Sequence, residues 1–180
     1  MPRKPTTPPA SGPEPEALLR FADQVATAAA PAPVPEPELH LVAFELDREE
    51  FGVPIGQVRE VVRVGQVSRV PQAPPHIRGV VNLRGRILPV VELRTRLGLA
   101  PAELTPRARL LIVEVYGRTL GLLVDAVSRV VRIPRSAVVP PPEEVVSGRS
   151  DYITGVARLD PRLLILLDLD KALLLTVDSP

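Results

Sequence analysis

Ile77-Arg78-Gly79-Val80-Val81-Asn82-Leu83-Arg84-Gly85-Arg86-Ile87-Leu88-Pro89-Val90-Val91-Glu92-Leu93 sets two short apolar runs on either side of Arg84-Gly85-Arg86. Short runs of Val, Ile and Leu cut by a polar, Gly-containing turn read as two strands. The pattern returns at an offset of 76 (79 to 155): Ile77-x-Gly79-Val80 matches Ile153-x-Gly155-Val156, and Leu83, Leu88 and Leu93 match Leu159, Leu164 and Leu169. Upstream the offset is 69 (52 to 121). Gly52-Val53-Pro54-Ile55 with Val58 matches Gly121-Leu122-Leu123-Val124 with Val127, and Val61-Val62-Arg63-Val64 matches Val130-Val131-Arg132-Ile133. The chain is a duplication, with the longer middle loop in its second copy.

Other strand candidates are Leu41–Leu46 and Phe51–Ile55 around an Asp47–Glu50 turn, Val58–Val64, Ala108–Val115, Thr119–Val124, Arg129–Ile133, Ile153–Leu159 and Leu163–Leu167. Short helices are expected at Leu93–Gly98 and after Asp168, where Asp168 or Asp170 can accept from the first free amides. About five short strands per copy cannot bury much alone, so the copies are expected to pack together. Small curved sheets manage their edges by closing. The expected fold is mainly β: two five-stranded barrels, short helices and a leader. Copy one spans about 39–100 and copy two about 108–170, within a body at 39–176. Residues 1–38, rich in Pro and Ala, are expected to be a disordered leader, with one weak helix candidate at Pro15–Ala30.

Composition removes several function classes. Apolar residues make up 45% but aromatics only 3%, and net charge is +1. A single-stranded nucleic-acid-binding small barrel stays as the rival from another class, but it wants stacking rings and a positive groove, and here rings are scarce and acidic residues balance Arg. There is no Cys and there are two His, which rules out disulfides, thiolate chemistry and the usual zinc sites. Ser128, Ser136, Ser147 and Ser150 have no His nearby in sequence to act as base, and no glycine-rich phosphate cradle precedes a helix. Asp125 follows a strand and is expected to hold a turn, and neither a catalytic set nor a cofactor or metal site is expected. No apolar run at the N-terminus suggests a secretory signal, and none approaches the ~20 residues of a membrane span. The expected compartment is the cytoplasm.

Positions shared by both copies serve the shared fold, whereas polar residues confined to one are freer to serve function. Gly79 and Gly155 belong to the first group, as sites of a bend or close backbone approach. Asn82 and Arg84 belong to the second, since copy two has Arg158-Leu159-Asp160-Pro161 there. Glu60 aligns with Arg129, a reversal of charge. Arg84-Gly85-Arg86 is open to two readings: a plain hairpin turn with solvated arginines, or a guanidinium fork presented to a partner.

Taken in order, Val58-Arg59-Glu60-Val61, Arg69-Val70-Pro71, Ile77 to Gly85, Ile87 to Leu93, Gly121 to Val127, Tyr152 to Val156 and Leu166 to Lys171 resemble the CheW-like domain, from about Leu41 to Leu175. The resemblance implies two intertwined SH3-like barrels and a non-enzymatic adaptor. Its partners would be the cytoplasmic tip of methyl-accepting chemotaxis receptors and the regulatory domain of a CheA-type histidine kinase. It places receptor contacts at Val58, Glu60, Gly79 and Arg84, to which the copy comparison adds Asn82. Kinase contact is expected on apolar surface of the first barrel, at Ile55, Val64, Val67 and Val70. It also implies recruitment to membrane-associated receptor arrays. At 180 residues a stand-alone adaptor is expected, without kinase or receiver domains. The Pro/Ala-rich leader leaves open an adaptor of a chemosensory pathway other than chemotaxis.

Overall fold

A computed structural model describes residues 35–142 and 151–177. The leader before residue 35, with its helix candidate, lies outside the described residues. In chain order the elements are β1 (Glu38–Leu46), β2 (Glu49–Pro54), a 3-10 turn (Ile55–Gln57), β3 (Val58–Arg63), β4 (Ile77–Leu83), β5 (Arg86–Glu92) and α1 (Leu93–Arg96). There follow β6 (Arg109–Val115), β7 (Arg118–Val124), β8 (Ala126–Pro134), a second 3-10 turn (Arg135–Ala137), β9 (Val138–Val139), β10 (Ile153–Leu159), β11 (Arg162–Leu167) and α2 (Leu169–Val177). The mainly β architecture read from the sequence is the one observed. Asp168 Oδ1 caps α2 by accepting from the Lys171 N–H at 3.1 Å.

The strands form two sheets, ordered β3-β6-β7-β5-β4 and β8-β1-β2-β11-β10-β9. Under the repeat offsets, β6, β7, β8, β10 and β11 are the second-copy counterparts of β1 to β5. Both sheets therefore share one order, yet neither is built from one copy. Each takes its first hairpin from the other repeat: β6–β7 completes the sheet of β3, β4 and β5, while β1–β2 completes that of β8, β10 and β11. Boundaries at 39–100 and 108–170 divide the repeats, not the barrels. The insertion is made by parallel pairing, Val90 to Leu122's neighbour Gly121 in one sheet and Leu166 to Gly52 in the other.

Residue patterns explain why this packs. Leu41 and Ala43 of β1 face the second barrel's own core with Ile133, Leu164 and Leu166. The alternate residues Val42, Phe44 and Leu46 face a shared inter-barrel core. β6 does the same: Leu110 and Ile112 fill the first barrel, and Leu111, Val113 and Val115 fill the shared core. Burial on both faces is why these strands read as unbroken apolar runs. Each such side chain contributes about 1.5–3 kcal/mol when fully buried. β3, at a sheet edge, instead alternates half-buried and exposed.

Both barrels close through the segment after their edge strand. Ser68 and Val80 exchange two backbone hydrogen bonds of 2.8 Å, N–H to carbonyl in each direction, which joins the segment after β3 to β4. In the second barrel β9 pairs with β10, Val139 opposite Val156. Gly79 and Gly155 lie where those segments come in. A Cβ on Gly79 would stand 2.2 Å from the Ser68 carbonyl oxygen, and one on Gly155 would stand 2.4 Å from Val138 Cγ1.

Candidate functional site

The β4–β5 hairpin turns through Arg84 and Gly85, both at positive φ (+52° and +82°), between the paired residues Leu83 and Arg86. Two consecutive positive φ values mark the turn type that matches strand twist in a two-residue loop. Asn82 Oδ1 fixes the turn by accepting from the Gly85 N–H at 2.9 Å. Both readings of Arg84-Gly85-Arg86 thus meet: it is a hairpin turn, and it also aims Arg84. A left-handed conformation costs a non-glycine residue about 1–2 kcal/mol. Held at that cost, Arg84 puts its guanidinium outward with 77% of its side chain exposed.

The guanidinium is a fork on Glu60 of β3, Nη1 donating to Oε1 at 3.2 Å and Nη2 to Oε2 at 2.8 Å. Beside it Arg59 donates to Glu114 of β6. These two ion pairs, Arg86, and a floor of Leu83, Leu88 and Ile112 line a cleft of about 420 Å³ at the mouth of the first barrel. The pairing of Glu60 with Arg84 is absent from the twin position. There Arg129 approaches the buried Glu50 instead, Nη2 to Oε2 at 3.9 Å, while Asp160 takes the place of Arg84.

The remaining sequence candidates divide by burial. Gly79 is buried against the Val67–Ser68 segment. Val58 is half-buried against the shared core. Among the four apolar candidates, Ile55 and Val70 are exposed, at 41% and 44%, whereas Val64 and Val67 pack on the first barrel's core. Sequence reasoning passed over Arg59, although the copy comparison held the signal: its twin is Ser128. It also passed over Arg94 and left Asp125 as a turn residue. Asp125 does hold the junction between β7 and β8, and Arg94 donates to it through Nε and Nη2 at 2.6–2.9 Å. That contact holds the Arg94 guanidinium above its ordinary pKa.

Among the described residues no group of three or more His, Cys, Asp or Glu could hold a metal ion. No helix there is long and apolar enough to cross a membrane.

The sequence profile of the CheW-like domain matches residues 40–175. A probable chemotaxis protein CheW of Rhizobium etli is 35% identical over 130 residues, covering 72% of this chain and 84% of that protein. Protein FrzA of Myxococcus xanthus is 35% identical over 99 residues, covering 55% and 62%. The crystal structure of the scaffolding protein TtCheW from Thermoanaerobacter tengcongensis superposes with a TM-score of 0.69 at 34% identity, covering 76% of this chain and 92% of that one.

Proposed function

The chain belongs to the CheW-like domain family, and from that premise we propose that Glu60, Arg84 and the cleft beside them dock the cytoplasmic tip of a methyl-accepting chemoreceptor. The protein is a non-enzymatic adaptor coupling chemoreceptors to a CheA-type histidine kinase. Any effect it has on the kinase arises from unequal binding to the kinase's conformational states. On this reading it works in the cytoplasm and is recruited to membrane-associated receptor arrays.

One observation carries the docking face: an ion pair built in a strained turn and left in solvent. Exposed pairs contribute only about 0–1 kcal/mol to stability, which does not offset the strain at Arg84. What the pair does supply is orientation. Glu60 restrains a long side chain that otherwise loses rotamer freedom on binding, leaving the other N–H groups aimed at a partner carbonyl or carboxylate. Asn82 serves the same end by holding the turn. Val58 supports β3 from below, and Gly79 admits the segment that closes the barrel. For the kinase, exposure favours Ile55 and Val70 as direct contacts, with Val64 and Val67 as their support.

The test is a charge swap. Arg84→Glu should weaken binding of a receptor-tip helical hairpin about tenfold or more, equivalent to 1.4 kcal/mol, with the melting midpoint nearly unmoved. Glu60→Lys should do likewise. The double variant Glu60→Arg with Arg84→Glu restores the internal pair with inverted polarity and should still bind weakly. Unchanged affinity in Arg84→Glu refutes the docking role. Recovery in the double variant shows that the pair matters only to the fold. The likeness to FrzA fits a second reading, an adaptor of a chemosensory pathway other than chemotaxis.

A further inference from the structure

The two barrels meet at two junctions that the repeat makes equivalent, and among the described residues only one is tied by side-chain hydrogen bonds. At the first, Asp125 occupies the crossover from β7 of one barrel to β8 of the other. Its carboxylate accepts from the Asp47 N–H at 2.7 Å, at the tip of the β1–β2 hairpin. It also accepts from Arg94 Nε at 2.9 Å and Nη2 at 2.6 Å. Arg94 Nη1 donates to the Ala100 carbonyl at 3.0 Å, and Nη2 reaches Asp47 Oδ1 at 3.4 Å. One guanidinium, with 13% of its side chain exposed, thus joins α1 behind the first barrel, the crossover, and a hairpin of the second. At the equivalent junction the positions of Asp47, Asp125 and Arg94 hold Tyr116, Gly56 and Asp170. Tyr116 is exposed there, and Gly56 has open space around it.

Between the barrels lies a large core of Val, Leu and Phe. Such contact is strong but non-directional, and side chains of similar volume satisfy it in neighbouring registers. A planar fork with fixed donor directions has no such latitude, and setting register is the best-attested use of shielded ion pairs. The geometry points to Arg94 as a positioning residue that fixes the angle between the two barrels, and so the placing of the receptor-docking face relative to the rest of the adaptor. The functional half of this inference rests on the adaptor reading. The geometric half stands without it.

The chain contains no Cys, so spin labels can be introduced at Arg63→Cys on the first barrel and Arg158→Cys on the second in the full chain. Their distance distribution is then measured by double electron–electron resonance. The parent should give one narrow distance. Arg94→Met, which keeps the stem, and Arg94→Lys, which keeps the charge but not the fork, should both broaden it while melting within a few degrees of the parent. Receptor-tip binding should stay within about twofold, whereas stimulation of a reconstituted receptor–kinase mixture should fall about fivefold. An unbroadened distribution in both variants overturns the inference. So does a broadened one with undiminished stimulation. Unfolding of both variants would make the cluster a stability element and overturn the register role as well. Loss of receptor binding in Arg84→Glu bears on the docking face alone, so the two readings fail separately.

Discussion

Replacing Gly79 by Ala should cost far more than replacing Gly155, although the two occupy the same position in the repeat. At Gly79 φ is +148°, a region that residues with a side chain rarely enter. The new methyl would lie 2.2 Å from the Ser68 oxygen, 2.9 Å from the Ser68 carbonyl carbon and 3.0 Å from Val67 Cγ1. Two of these neighbours are backbone, and they belong to the segment that closes the barrel by two hydrogen bonds of 2.8 Å. The variant bears the strain, about 1–3 kcal/mol, and the segment gives way and loses bonds worth about 1 kcal/mol each. Because the positive φ stays strained even where the segment gives way, both effects are expressed in full and the loss is about 3–5 kcal/mol. For a domain of this size that is a fall of about 10–20 °C in melting midpoint. At Gly155 the clash is with a valine methyl at 2.4 Å, and the Val139 oxygen stands at 3.1 Å. A short outward shift of β9, a two-residue edge strand, relieves it at about 1–2 kcal/mol. Urea denaturation followed by far-ultraviolet circular dichroism measures both. Equal losses, or a Gly79→Ala variant within about 1 kcal/mol of the parent, would refute the reasoning. Receptor affinity per folded molecule should be unchanged in Gly79→Ala, because a buried glycine offers a partner no side chain.

Glu50 is buried, its Oε2 accepts no hydrogen bond, and its nearest described cation stands 3.9 Å away. Glu50→Gln should therefore raise stability by about 1 kcal/mol; a lowered urea midpoint would contradict this. His76 titrates below the ordinary imidazole value because burial and, secondarily, Arg96 disfavour its charged form. Its contribution is present above about pH 6.5, where the unfolded imidazole is neutral, and is lost as pH falls toward the folded value, because the unfolded state binds the proton first. His76→Gln should flatten the melting curve against pH below 6.5, and an unchanged slope would argue against it. Ile55→Asp and Val70→Asp should weaken capture of the kinase regulatory domain at unchanged melting midpoint. Val64→Asp and Val67→Asp should lower the midpoint, since those side chains pack on the core; the reverse pattern would reassign the four.

The strands, the turns and the cap on α2 were legible because each is set by residues close in sequence. Alternation in β3, unbroken apolar runs in β1 and β6, and Asp168 before Leu169 all act locally. That the barrels intertwine came with the family resemblance, but which hairpins they exchange was not legible. A repeat fixes what each strand resembles, but Gly52 and Gly121 match equally well whether β2 and β7 pair within their own copy or across. Only the three-dimensional core, with β1 facing two ways, decides it. β9 escaped notice because two valines beside a proline cluster carry no period. At the site, Glu60 and Arg84 emerged from the copy comparison as separate oddities. That they form one fork follows from the fold bringing β3 and the β4–β5 turn to the same barrel mouth.

The exchange also bears on where function can diverge. Because each barrel contains strands from both repeats, neither copy can be lost or remodelled without opening both cores, so the shared apolar positions are constrained twice. Freedom remains where side chains reach solvent: on the exposed face of edge strands and at hairpin tips, barrel mouths and crossovers. The departures from symmetry described above fall in those places. Glu60 and Arg84 against Arg129 and Asp160 lie at the mouths, and Arg94 with Asp125 against Asp170 and Gly56 at the crossovers. On the readings proposed above, the first asymmetry would provide a face and the second would fix how that face is held. A partner reading a symmetric pair of barrels would have two equivalent ways to dock. Here the Glu60–Arg84 fork and the Arg94–Asp125 tie each occur at one end of the repeat and not at the other, which on the proposed reading would give a receptor and a kinase distinct ends to recognise.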